Sequence, residues 1–313
     1  MAVRKPKSRS SAAISSIHRG RPPLATAKPA RFSSKATRNL ISSHHTLRKA
    51  LRRALVNGDV AHVRVLEAEI AATGGLSTYQ LASTQGQANH RGGDTSRVLV
   101  EWLRSMSDTE LTLKANVRNQ AERKPNYDML RLLEIGALST RNACSSLPWL
   151  DVKRIDLQSC DKSGIEEIDF MEMPIPSEPS SKYHIISLSL VLNYVADPSE
   201  RGDMLARLPV FMEGKSISQG HLSHASPSNV LLPLLFLVLP LACISNSRYL
   251  TETRFTEIMY TLGFRFIKKK ESSKLYYSLW THTGSSRQTT SLPLFKKEEL
   301  RPGKSRNNFC IIL

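Results

Sequence analysis

From Leu130 onward, short apolar runs alternate with stretches in which apolar residues recur every three or four positions. Runs of the first kind suit strands buried on both faces, and the second kind suits amphipathic helices. Leu130–Ile135 is a compact apolar run that stops at Gly136, and Val152–Ile155 is another that stops at Asp156. Residues 164–170 predict a third strand, which brings Asp169 and Phe170 to its end. A Pro-rich loop leads to Tyr183–Leu192, the strongest buried-strand signal, followed by an amphipathic helix from Pro198 to about Met212. Leu234–Leu239 predicts a fifth strand, residues 251–262 a helix, and Phe264–Lys269 and Lys274–Trp280 further strands. The alternation predicts an α/β fold, a mostly parallel, seven-stranded Rossmann-like sheet with helices on both faces. Phe309–Leu313 is expected as a closing strand; its last four residues, CIIL, also spell a prenylation box, which is the less favoured use of them.

Ahead of the sheet the pattern is helical. Leu47, Leu51 and Leu55 recur on one helical face, with Arg48, Lys49, Arg52 and Arg53 on the other. Asn57-Gly58 stops that helix, Asp59 caps the next, and Val63, Leu66 and Ile70 line its inner face until Gly74-Gly75. The result is a helical hairpin with one very basic face. Residues 76–96 are polar and rich in turn formers, and a further helix runs from a Thr95/Ser96 cap through Val98, Leu99, Trp102 and Leu103. His90-Arg91 suits either a phosphate contact or an ordinary surface loop. The domain plan is a disordered basic tail over 1–40, a helical extension over 41–128 and the sheet domain over 129–313, with 213–229 a loop insertion.

Charge narrows the partners. The 313 residues carry a formal charge of +17, and the positive residues cluster, which points to a polyanion, most plausibly nucleic acid. Residues 1–58 hold 14 Lys plus Arg and no acid, a composition shared by RNA-binding tails, nuclear or nucleolar import signals and mitochondrial transit peptides. The apolar run Val230–Ile244 contains Pro233 and Pro240 and is too short for a membrane span. The four cysteines show no CxxC or Cys/His spacing, so no metal site is expected and the thiols should be reduced. Composition does not reach the oligomeric state.

The stretch 130–158 carries the candidate chemistry. A strand, a glycine turn, a short crossover and a strand closing on a carboxylate open a nucleotide or nucleoside site. Asp156 stands where it can accept hydrogen bonds from two ribose hydroxyls, and Asp169-Phe170 where a base would be bonded and stacked upon. A dinucleotide needs three glycines for close approach of its pyrophosphate, and only Gly136 is present. S-adenosylmethionine has no phosphate, so the single glycine favours it over NAD. Glu134 precedes the glycine, and His184, before an apolar strand, reads as structural.

The segments GGLSTYQLAS, RGGDTS, LLEIGALSTRNACS, VKRIDLQS, IDFMEMPIP, HIISLSLVLNYVADPSERGDML, LFLVLPLACISNSRYL and KKEELRPGKSRNNFCIIL resemble the fungal 25S ribosomal RNA adenine-N1 methyltransferase family over roughly residues 31–313. The resemblance implies a class I methyltransferase of the nucleus and nucleolus acting on large-subunit rRNA or the pre-ribosome. S-adenosylmethionine would be its methyl donor, with Gly136 and Asp156 at the donor positions. The chain departs from that family at 213–229. Asn193 and Tyr194, in the loop after the fourth strand, are then expected to position the adenine, by hydrogen bonding and stacking respectively. The alternative is a non-catalytic S-adenosylmethionine sensor or RNA-associated scaffold.

Overall fold

The computed structural model describes residues 34–75, 78, 81, 93–107, 129–157, 164–213, 232–283 and 295–313. A single sheet of seven strands forms the domain: β1 (Leu130–Ile135), β2 (Leu150–Asp156), β3 (Glu166–Glu167), β4 (Ile185–Ser189), β5 (Leu234–Pro240), β6 (Phe264–Glu271) and β7 (Leu275–His282). Their order is β3-β2-β1-β4-β5-β7-β6. All neighbours are parallel except β7, which runs antiparallel to both β5 and β6. This is the mostly parallel, seven-stranded Rossmann-like sheet expected from the sequence.

Burial explains the strand sequences. In β5, Leu234, Phe236 and Val238 face one apolar layer, and Leu235, Leu237 and Leu239 face the other. A continuous apolar run is therefore required, and Leu→Ala at any of the four leucines would cost about 2–5 kcal/mol. One layer is covered by α3 (Ser96–Ser107), whose Leu99, Trp102, Leu103 and Met106 pack on the sheet, with Trp102 edge-on to Phe236. The other is covered by α4 (Pro198–Arg207) and α6 (Glu252–Thr261). A short helix, α5 (Leu241–Ser245), follows β5.

Several boundaries differ from expectation. The third strand contracts to Glu166–Glu167, because the chain turns sharply at Asp169. The run Phe309–Leu313 is not a strand. The β6–β7 hairpin already completes that side of the sheet, so the run packs on the helices instead, where Phe309, Cys310 and Ile311 are buried. There Arg201 donates to the Cys310 carbonyl at 2.6 Å, its guanidinium lies 4.4 Å from the Phe309 ring centre, and Ile312 N–H donates to Pro198 at 3.0 Å. Gly202 leaves room for the Ile312 carbonyl, which a Cβ would overlap. The Cys310 thiol, 1% exposed, is not presented for modification, which argues against the prenylation use of CIIL.

The hairpin comprises α1 (Ser34–Val56) and α2 (Val60–Ala72), packed on each other. Helix α1 opens at Ser34 rather than at Ile41, so part of the basic segment 1–40 is helical; residues 1–33 lie outside the described residues. Asp59 caps α2 as expected, its side chain accepting from His62 N–H at 3.0 Å. Leu55 does not belong to the buried face: it is 58% exposed, because the chain reverses just beyond it at Gly58, and His44 and Ala54 are buried instead. His90-Arg91 and all but the first residue of the 213–229 insertion also lie outside the described residues. Among the described residues no helix is long and apolar enough to cross a membrane, no metal-binding cluster occurs, and Cys144, Cys243 and Cys310 are free.

Candidate active site

The carboxyl ends of β1, β2 and β4 meet where the strand order reverses, since β2 lies on one side of β1 and β4 on the other. Crevices of this kind hold ligands in open α/β sheets. Gly136 leaves β1 at φ +78°, and both its N–H and that of Ala137 donate to the Ile155 carbonyl, at 2.8 and 3.0 Å. With Ile135 and Ile155 in register, Gly136 and Asp156 stand side by side. Asp156 closes β2 with its side chain half-buried. A Cβ on Gly136 would collide with Val191 of the loop after β4, so the neighbour that uses the missing side chain is Val191.

That loop is sharply bent. Leu190 is the one non-glycine residue at positive φ, +58°, among the described residues, and its N–H donates to Val238 at 2.9 Å. A bulky side chain in the left-handed region is unusual, and strain of this sort collects at functional sites. The bend brings Val191 back over Gly136 and starts a turn in which Tyr194 N–H donates to Val191 at 2.8 Å. Asn193 and Tyr194 are half-buried in this turn. Asn193 Oδ1 is sealed from solvent and accepts no hydrogen bond. An acceptor left so costs about 1–3 kcal/mol and calls for an explanation, which a ligand donor would provide.

Beneath the crevice lies a buried polar cluster. Glu134 Oε1 accepts from Asn142 Nδ2 at 2.6 Å, while Arg154 Nε lies 3.9 Å from Oε2. Burial pushes the Glu134 carboxyl up to about 7, against the opposing pull of the Asn142 hydrogen bond and the Arg154 cation. The Cys144 thiol, 3.8 Å from Glu134 Oε2, is pushed up to about 12 by burial and by that carboxylate, so it is no nucleophile.

Asp94 and Thr95 belong to this site although the sequence reading treated their surroundings as a turn and a helix cap. Asp94 accepts from Ser96 N–H at 2.8 Å, from the Ser96 hydroxyl at 2.9 Å, and from Ala143 N–H at 2.5 Å. The Ser96 hydroxyl in turn accepts from Cys144 N–H at 3.2 Å. Thr95 Oγ1 and Ser189 Oγ lie 2.7 Å apart, joining the start of α3 to the last residue of β4. The segment thus staples the β1 loop and the β4 end together. Its presence in the RGGDTS motif was the available signal.

Asp169 and Phe170 separate in role. Asp169 is half-buried just past β3, and its Oδ1 accepts from Met171 N–H at 2.8 Å. Phe170 is 3% exposed and turns into the core, its ring 5.1 Å from Phe211 and within reach of the Arg207 guanidinium. It is therefore not available to stack on a bound base, and the role expected for it is withdrawn. His184 is structural as expected: it is buried, and its Nδ1 accepts from Arg131 N–H at 2.9 Å.

A family model described as 25S rRNA (adenine(2142)-N(1))-methyltransferase matches residues 64–311. The chain is 34% identical over 246 residues to the 25S rRNA (adenine(2142)-N(1))-methyltransferase of Saccharomyces cerevisiae, an alignment that takes in 78% of this chain and 62% of that protein. It is 33% identical over 273 residues to the 25S rRNA adenine-N(1) methyltransferase of Schizosaccharomyces pombe, covering 87% of this chain and 89% of that protein. The match therefore spans less than two thirds of the budding-yeast relative. Among solved structures, an rRNA methylase from Escherichia coli is a distant likeness, at 12% identity and a TM-score of 0.37 over 79% of this chain and 100% of that one.

Proposed function

Because the chain belongs to the 25S rRNA (adenine(2142)-N(1))-methyltransferase family, we propose that it methylates N1 of an adenine in large-subunit ribosomal RNA, with S-adenosylmethionine as donor. The observation that carries the proposal is the pairing of Gly136 and Asp156 at the point where the strand order reverses. The residues present fit that donor. Gly136 turns the chain sharply at the mouth of the crevice, and Asp156 offers a carboxylate for two ribose hydroxyls. Asp169, half-buried just past β3, would meet the base. When bound, the donor supplies an electrophilic methyl on a sulfonium sulfur.

The chain's own residues have little proton chemistry to do. Adenine N1 is unprotonated at neutral pH and presents a lone pair, so no strong general base is required. Positioning carries most of the rate. N1 lies on the Watson–Crick edge, so the base must be unpaired or flipped to reach the crevice. Asn193 Oδ1, the unpaired buried acceptor, suits the exocyclic amine of that adenine. As N1 is alkylated, positive charge spreads onto the exocyclic nitrogen, and an acceptor facing it binds the transition state more tightly than the ground state. Tyr194, next in the same turn, supplies a ring for stacking.

The basic segment 1–58 fits action on pre-ribosomal RNA in the nucleus and nucleolus. The deciding experiment incubates the protein with labelled S-adenosylmethionine and unmodified 25S rRNA. Label at N1 of one adenine is the expected result. Donor binding without incorporation would replace the enzyme by a non-catalytic S-adenosylmethionine-binding protein.

A further inference from the structure

The outward face of α3 is not explained by packing or by the donor crevice. Its inward residues are apolar, but Arg97, Glu101 and Arg104 recur along the exposed side. Arg97, Glu101 and Arg104 line, with Val100, Ala143 and Ser146, an open cleft of about 480 Å³. The one carboxylate among these residues is already engaged: Lys270 of β6 lies 3.1 Å from Glu101 Oε2. A second β6 cation, Lys268, reaches the same helix, 3.4 Å from the Ser105 hydroxyl and 5.7 Å from the centre of the Trp102 ring. The stripe thus carries Arg97, Arg104, Lys268 and Lys270 against Glu101. Lysines on an edge strand also discourage edge-to-edge pairing, but that role gives no reason for arginines on the helix that covers the sheet.

The stripe has a direction. It begins beside the crevice, where Thr95 meets Ser189 and Ala143 meets Asp94, and runs toward the β6 edge, where Lys268 and Lys270 meet it. A helix of 12 residues is roughly 18 Å long, enough to pass several backbone phosphates.

We infer that the outward stripe of α3, with Lys268 and Lys270 of β6, is the track along which the RNA backbone leads to the crevice. Arg97 and Arg104 contact phosphate oxygens in the cleft, and their planar guanidiniums suit that ligand better than lysine would. These contacts hold the strand in register without reading its sequence. The inference deepens the proposed function and rests on its RNA substrate.

The test compares the whole protein with the double variant Arg97→Gln/Arg104→Gln and with Lys296→Gln/Lys304→Gln, which removes equal charge from exposed sites elsewhere. Binding to an unmodified 25S rRNA transcript is titrated at several salt concentrations, and S-adenosylmethionine binding is measured separately. The expected result is an RNA affinity lowered about tenfold for the first variant. Its plot of log affinity against log salt should be shallower by about 1.4, at about 0.7 for each single-strand contact. Donor affinity should be unchanged, and the second variant should behave like the parent. Equal RNA affinity and slope in the first variant and the parent overturn the track, as does an equal loss in both variants or a parent that binds no RNA. A parent that binds RNA and donor but transfers no methyl group removes the catalytic proposal and leaves the track to be decided by the titrations.

Discussion

Val191 occupies the space that a side chain on Gly136 would need, so the end of β1 and the loop after β4 fit together only because position 136 is bare. Gly136 also sits at φ +78°, which costs an L residue about 1–2 kcal/mol. Gly136→Ala should therefore destabilise the fold by about 2–4 kcal/mol, the left-handed backbone and the collision both contributing. Adding Val191→Ala should recover the collision and leave the backbone cost. A denaturation cycle over the two single variants and the double variant measures that coupling, and strict additivity would show that Val191 is not the obstacle.

Asp156 ends β2 beside Gly136 at a half-buried position, so its removal tests binding apart from folding. Asp156→Ala is expected to weaken S-adenosylmethionine binding at least tenfold while stability changes by less than about 1 kcal/mol. Calorimetric titration together with thermal unfolding reports both quantities. Undiminished affinity would remove the ribose-binding role.

Glu134 gives the site a pH dependence. Its carboxyl is raised to about 7 from the ordinary value of 4.5, chiefly by burial, so the folded state holds a proton that the unfolded state has released. Stability attributable to this group is complete below about pH 4.5 and is lost as pH rises toward 7 and beyond, to an extent of order 3 kcal/mol. Glu134→Gln keeps an acceptor for Asn142 and removes the charge. It should stabilise the protein at pH 8, change little at pH 5, and flatten the unfolding profile between them. A parallel profile in the variant would assign the dependence to another group.

Asp94 holds three donors at once, so Asp94→Ala should leave Ser96 N–H and Ala143 N–H without their acceptor, at a cost of about 1–3 kcal/mol. The freed β1 loop should also raise the KM for the methyl donor. Asp94→Asn, which keeps an acceptor, should fall between the parent and the alanine variant in both respects. A stability loss with no change in KM would confine Asp94 to the fold.

Asn193 is expected to act on the transition state. Asn193→Ala should lower kcat by about 10- to 100-fold and leave donor affinity alone. Stability should hold or improve, because the variant removes a buried acceptor that has no donor. Steady-state kinetics at saturating donor decide the point, and a change confined to KM for RNA would recast Asn193 as a binding contact.

The sheet was legible where burial alone determines residue type. Leu234–Leu239 had to be apolar throughout because both faces are covered, and the sequence says so directly. Gly136 and Asp156 were legible because a turn and a strand end have local signatures. The same apolar criterion misled at Phe309–Leu313, since a run that packs on helices has the composition of a strand. It gave no warning for Phe170, whose inward turn is set by Phe211 and Arg207, far along the chain. Thr95 and Ser189 lie 94 positions apart, and two hydroxyls carry no pairing code that a pattern could reveal. Asn193 was named for its place in a loop, whereas its unpaired oxygen emerges only when the turn after Leu190 is built.

The grip of Arg201 on the Cys310 carbonyl has a consequence for synthesis. Residues leave the ribosome in order, and the arginine emerges long before its partner does. Until then a cation destined for the interior lacks the Cys310 acceptor and the Phe309 ring that covers it, and the face of α4 around it stays open. The α3 side of the sheet draws on residues 98–279 and can close first, whereas the α4 side waits for Phe309 and Ile311. That side of the domain thus matures only after Ile311 has been made, and a ribosome stalled before Phe309 would display an unfinished core to the quality-control machinery.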